Sequence, residues 1–323
     1  MKRMMIQLVI LTMIVATLGV PQPAFASAQL AIIDLGTLGG SYSAGQAINN
    51  RGQVVGESYT AAGDLHAFLW QDGTMTDLGT LGGTSSSARG INDLGQVVGS
   101  STTALGESRA FLWQDGTMLD LGTLGGPSIG SSANAINNRG QVVGGSGTAS
   151  GDLHAFLWQD GTMTDLTPLI KTFSSAQSIN NRGQIVGVGE GYSFLWQHGK
   201  ITDLLPGLVY DINEHEQIVG LGEDGIAFLW QAGTITVLGT LGGDSSFAQS
   251  INNRGQVVGV SQTAEEAGEE GVAHAFLWQA GMLIDLGTLG GPFGNAEAIN
   301  DRGQITGFTQ NASHEFHATL WSK

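Results

Sequence analysis

A chain that repeats one motif seven times has to bury its apolar residues against copies of itself. Each repeat runs from a small-residue stretch through Ile-Asn to a Gly turn, then Gln-Val-Val-Gly, Phe-Leu-Trp and Asp-Leu-Gly-Thr-Leu-Gly-Gly, with local departures. The Ile-Asn pairs begin at Ile48, Ile91, Ile136, Ile179, Ile212, Ile251 and Ile299. They are 43, 45, 43, 33, 39 and 48 residues apart, a period found in propellers and solenoids. All 7 Trp (Trp70, Trp113, Trp158, Trp196, Trp230, Trp278 and Trp321) belong to the repeat. The repeat is therefore architecture, and function has to be sought where it breaks.

Each unit reads as four short strands. Asn49-Asn50-Arg51-Gly52 suits a hairpin with Gly in the left-handed position, and Asp72-Gly73 is a hairpin signal between the strands His66–Trp70 and Met75–Leu78. Four antiparallel strands in this span make one propeller blade. A solenoid shares the period, but the ends favour a ring. The chain begins with an orphan fourth strand, Ile32–Leu35, and stops after a third strand, His317–Trp321. An open array would leave two unpaired edges. The expected fold is all-β: a seven-bladed propeller of four-stranded blades, closed when the N-terminal strand joins the last blade. In that ring the Ser-x-Ala-x-Ala-Ile-Asn strand is innermost. The small residues, the Phe and Trp of the third strands and the repeated Asn (a cap for its own turn) read as scaffold.

The first residues read as an export signal. Lys2 and Arg3 precede an apolar stretch, Leu8–Val20, which ends at Pro21 and Pro23 before Ala24-Phe25-Ala26. Cleavage is expected after Ala26, with Ala28 as a second option, giving a signal over residues 1–26 and one propeller domain over 27–323. The stretch is short for a membrane-spanning anchor. No lipidation Cys follows it, no C-terminal anchor is read, and a secreted or periplasmic monomer is expected. Loss of Lys2 and Arg3 leaves 10 basic against 28 acidic residues, net −18, a poor surface for nucleic acid or anionic membrane. With no Cys, disulfides, Cys-ligated zinc and thiol chemistry are excluded.

Ala-x-x-Ile-Asn-x-x-Gly-Gln-Val-Val-Gly, His-Ala-Phe-Leu-Trp and Asp-Leu-Gly-Thr-Leu-Gly-Gly together resemble the HAF family of extracellular repeat proteins of bacteria. The triplet behind that name stands here as His66-Ala67-Phe68, His154-Ala155-Phe156 and His274-Ala275-Phe276. The resemblance covers Ile32 to the C-terminus and implies export and a repeat fold, with no catalytic or binding residues to carry over. Some units depart from it. The triplet is Arg109-Ala110-Phe111 in the second, Tyr192-Ser193-Phe194 in the fourth and Ile226-Ala227-Phe228 in the fifth. Glu216 replaces the turn Gly of the fifth unit, and the links Leu166-Thr167-Pro168 and Leu204-Leu205-Pro206 lose Gly-Gly, so distortion is expected there.

Signals for chemistry are sparse. His66, His154, His274 and His317 open third strands; a once-per-blade His is expected to pack over a blade edge, against the alternative of a metal ligand or general base. His314 with His317 and the acidic run Glu265–Glu270 are weak metal candidates, and no metal or cofactor is expected. No Gly-x-Ser-x-Gly elbow or phosphate loop occurs. The lead lies in geometry. Links after first and third strands are tight and uniform, whereas those after second and fourth strands vary, and the two classes fall on opposite faces. The variable face carries Tyr42, Phe247 and Phe293 among its aromatics. Two residues before each Ile stand Gln46, Arg89, Asn134, Gln177, Tyr210, Gln249 and Glu297, all but the Gln unlike one another. Variable loops on a rigid scaffold are where binding is built. The sequence thus suggests a non-catalytic binding or interaction module for a glycan or protein, with Arg89 facing Glu297 and Asp211. Alternatives are a carbohydrate hydrolase or lyase using Asp211 and Glu297, and a purely structural repeat.

Overall fold

The computed structural model describes residues 30–126, 129–167, 173–204, 207–264 and 272–323. The expected signal and the acidic run Glu265–Glu270 lie outside them. Among the described residues every regular element is a strand, 28 of them, and no helix is long and apolar enough to cross a membrane. The first full sheet shows the plan: β1 (Ala31–Asp34) stands apart from it, and β2 (Gly39–Ile48), β3 (Val54–Thr60), β4 (Leu65–Gln71) and β5 (Thr74–Asp77) pair in order, antiparallel. Four more such sheets follow. The eight-stranded remainder is two groups of four joined by one bridge, Ala273 to Phe293. In it β1 pairs with the last strand, β28 (Phe316–Ser322), from Ala31↔Ser322 to Asp34↔Thr319.

The hairpins form where turn chemistry demands them. Asn49 Oδ1 accepts from the N–H groups of Arg51 and Gln53, both at 3.0 Å. Gly52 closes the turn at φ 82°. Glu216 holds the same place at φ 59°, with Glu216 N on Asn213 O at 3.3 Å, so the fifth unit keeps its turn under backbone strain rather than losing it. The units whose links lack Gly-Gly also keep all four strands. First strands that start on Gly-Gly run ten residues, as in Gly39–Ile48, whereas Ser174–Ile179 and Leu208–Ile212 have six and five.

The core lies between sheets. Val55, Ala67 and Leu78 of one sheet pack with Ala88, Ile91, Val97 and Phe111 of the next. Both valines of Gln-Val-Val-Gly are therefore buried, Val54 and Val55 each at 0% exposure. The Trp residues fit this less completely: Trp158 and Trp321 are buried, and the other five are half-buried.

Two bonding circuits join the sheets at their inner edge. The repeated Asn does more than cap its own turn, because Asn49 Nδ2 also donates to Asn92 O of the next unit at 3.0 Å. The same bond recurs at every unit, and Asn300 Nδ2 reaches Asn49 O at 2.9 Å. The following residue builds a second circuit, from Asn50 N onto Asp93 Oδ1 at 2.8 Å to Asp301 N onto Asn50 Oδ1 at 2.9 Å. First strands of successive sheets touch, and the last of them, β26 (Gly290–Ile299), touches β2.

Candidate functional site

Every first strand carries an irregularity at the same place near its end, and the four ten-residue strands carry a second near their start. In β2 the register shifts between Gly45 and Ala47, which leaves Gln46 unpaired as a bulge. The equivalent shifts bracket Arg89, Asn134, Gln177, Tyr210, Gln249 and Glu297. A bulge bends its strand and re-aims its side chain. The turned backbone brings the Ala44 carbonyl against Gly56, where any Cβ would strike it, so the Gly of Gln-Val-Val-Gly is required by the bulge opposite. The seven bulged side chains line one cavity of about 360 Å³, together with Glu57 and Ser87. A second cavity of about 300 Å³ continues past the Ile-Asn positions to Asn50, Asp93 and their equivalents.

Of the remaining residues expected at this face, Tyr42, Phe247 and Phe293 do not line either cavity. Tyr42 stands behind Glu57, donating its hydroxyl to Oε1 at 3.2 Å, and packs on Tyr59 at 5.6 Å. Burial, then the charge of Glu57, raises its phenol well above the usual range. Phe293 joins Phe308 and Phe316 in an aromatic group with centroids 5.7 to 5.9 Å apart. Phe247 is half-buried opposite Val260.

The charged members behave differently. Asp211 lines the cavity wall, but its carboxylate accepts from Ser178 Oγ (2.6 Å), Ser250 Oγ (2.9 Å), Ile251 N (3.0 Å) and Ile212 N (2.8 Å). Burial raises its pKa, opposed by those bonds. The neighbours that clasp it are Ser only there; the same position elsewhere is Ala47, Gly90, Ala135 or Ala298. Asp211 is thus a structural tie between three strands. Arg89 does not serve as its counter-charge, nor that of Glu297: it donates to Asn134 Oδ1 at 2.9 Å and makes no ion pair among the described residues. Glu297 accepts from Asn295 Nδ2 at 2.6 Å. Burial, then the charge of Glu57, pushes it up to about 7. Tyr210 is raised by burial.

The triplet His residues are explained by a partner rather than by edge packing. Nδ1 of His66, His154, His274 and His317 lies 2.7 to 2.8 Å from Asp77, Asp165, Asp285 and Asp34. The same Asp caps its own turn, as Asp77 does Gly79 N at 2.7 Å. In the fifth unit Ile226 and Val237 replace both members together. That joint loss is the sequence signal for the pairing. His317 is therefore engaged with Asp34, while His314 sits exposed in a turn, and no group of three metal-ligating side chains occurs among the described residues. Glu57 had no such signal, since its place beside Glu297 depends on strand register.

Charge divides between the two ends of the sheets. At the tight-turn end Arg51, Arg139, Arg182, Arg254, Arg302, Lys200 and Lys323 balance Asp72, Asp93, Asp115, Asp160, Glu214, Glu216 and Asp301. At the loop end stand Asp64, Glu107, Asp152, Glu190, Glu223, Asp224, Asp244 and Glu315, against Arg109 and the cavity's Arg89 among the described residues.

No protein-family profile matches the chain, and no curated protein matches it in sequence. Solved structures do match in shape. The β-propeller domain of the Trilobed protease from Pyrococcus furiosus, described as having an open velcro topology, aligns at TM-score 0.57 and 10% identity over 87% of this chain and 95% of that one. The fold is that of a β-propeller. YCF48 bound to D1 peptide aligns at 0.54 and 12% identity, covering 93% of this chain and 97% of that one. Pyrococcus horikoshii acylaminoacyl peptidase aligns at 0.55 and 13%, covering 89% of this chain but 52% of the enzyme, so the chain spans about half its length. At such identities the likeness concerns the fold alone.

Proposed function

We propose that the chain is an exported bacterial protein of the HAF repeat type, a closed seven-bladed ring that acts as a non-catalytic binding module with its site at the loop-end mouth of the central cavity. Closure is supported by the β1–β28 pairing and by bonding circuits that return to Asn49 and Asn50. Export rests on the signal-like first 26 residues, and the family reading on the three repeated motifs. The observation that carries the function is the bulged row. One backbone device is conserved at seven positions, and the side chains it turns into the cavity are the ones that differ. A scaffold alone has no need of that variation. The hydrolase reading is weakened because Asp211 is committed to Ser178, Ser250 and two backbone N–H groups.

The test is a screen of the mature protein on glycan and peptide arrays, repeated with Gln177→Ala and Gln249→Ala. Ligands of the wild type should be lost from both variants while their melting curves stay unchanged. Undiminished binding by both variants would remove the mouth from the site.

A further inference from the structure

The bulged row marks a place for a ligand, and the groups around it indicate its chemistry. Two carboxylates from neighbouring sheets face the cavity, Glu57 on β3 and Glu297 on β26. Each takes a single side-chain hydrogen bond, Glu57 from Tyr42 at 3.2 Å and Glu297 from Asn295 at 2.6 Å. Neither has a cationic partner among the described residues, since Arg89 is turned to Asn134. Asn295, 7% exposed and outside both cavity linings, holds Glu297 from behind. An ammonium group supplies what the two cavity carboxylates lack, three donors and a positive charge.

The remainder of the row selects among ammonium compounds. Four of its seven side chains are amides; Asn134 is engaged with Arg89 and the Ala176 carbonyl, and Gln46, Gln177 and Gln249 each offer a donor and an acceptor, the combination that suits adjacent hydroxyl groups. Tyr210 adds an aromatic surface to the same wall. We infer that the mouth binds an amino sugar, with its ammonium group between Glu57 and Glu297 and its hydroxyls on the amides of the bulged row. This rests on the reading of the mouth as the binding site. The acidic loop end concentrates cations around the opening. The carboxyl of Glu297, raised by burial and by Glu57, gains from an arriving positive charge.

The experiment compares a glucosamine hexamer with its fully N-acetylated counterpart, which keeps the ring hydroxyls and lacks the ammonium groups. Calorimetry on the full mature chain at pH 7 should give at least tenfold tighter binding of the amine form. Glu297→Gln, which retains the acceptor for Asn295, should abolish that preference, as should Glu57→Gln if the first variant misfolds. Asp152→Asn on the outer loops should leave it in place. Equal affinity for both forms, a preference that survives in the Gln variants, or one lost equally in Asp152→Asn would overturn the inference. So would failure of both hexamers to bind. If the arrays then return a neutral ligand that Gln249→Ala loses, the mouth remains the site and only the ammonium assignment falls.

Discussion

Two rows of seven side chains sit three residues apart on the same inner strands, and they follow opposite rules. The row after each Ile is Asn in every unit. Each Asn fills its bonding capacity, with its own turn on one side and the neighbouring carbonyl on the other. The row two before each Ile is built by an equally constant bulge but holds Gln, Arg, Asn, Tyr and Glu. Geometry explains the contrast. A group whose partners are backbone atoms of the repeat has one solution, which recurs. A group turned into a cavity has no repeated backbone partner, so each unit can present a different side chain to a ligand.

The largest effect is expected when the pairing of β1 with β28 is removed. Deleting residues 27–40 takes away β1 and leaves β28 with an open edge, so aggregation is expected. Size-exclusion chromatography checks this, and an unchanged monomer would argue for an open array. The two rows then predict unequal costs on neighbouring positions. Asn137→Ala strands the N–H groups of Arg139 and Gln141 and the carbonyl of Asn180, and should cost about 3 kcal/mol in chemical denaturation. Gln177→Ala should cost less than about 0.5 kcal/mol.

Within the bulged row, Glu297 couples stability to pH. It binds its proton more tightly in the folded state, so its contribution is complete below its ordinary 4.5 and is lost as pH rises through about 7. Glu297→Gln should therefore be more stable than the wild type at pH 8, by about 2 kcal/mol after allowance for partial exposure, and equal to it at pH 4. Denaturation at the two pH values checks the sign.

Smaller effects are expected at the His–Asp pairs. His154→Ile and Asp165→Val should each destabilise, yet together cost about 1 kcal/mol less than their sum, reproducing the fifth unit. Smallest is Glu216→Gly, which relieves a positive φ of 59° and should stabilise by roughly 1 kcal/mol.

The strands and both hairpins were legible in the sequence because turn residues and apolar alternation are local signals; Asn49 to Gln53 and Asp72-Gly73 are examples. The convergence of Gln46, Arg89 and Glu297 on one cavity could be anticipated from their shared place in the repeat. What was not legible depended on register. The bulge that turns those side chains inward, the position of Glu57 beside Glu297, and the Ser178–Asp211–Ser250 tie all join residues from different strands. The His66–Asp77 pair was accessible in principle, since both partners vanish together at Ile226 and Val237.

If constant rows hold the protein together and the bulged row recognises a ligand, the double variant Tyr210→Ala/Gln249→Ala separates the two roles when array binding and thermal unfolding are measured on it together. Loss of the wild-type ligands is expected with a melting temperature within a few degrees of the wild type. Retained binding with a large fall in melting temperature would instead place the bulged row in the scaffold.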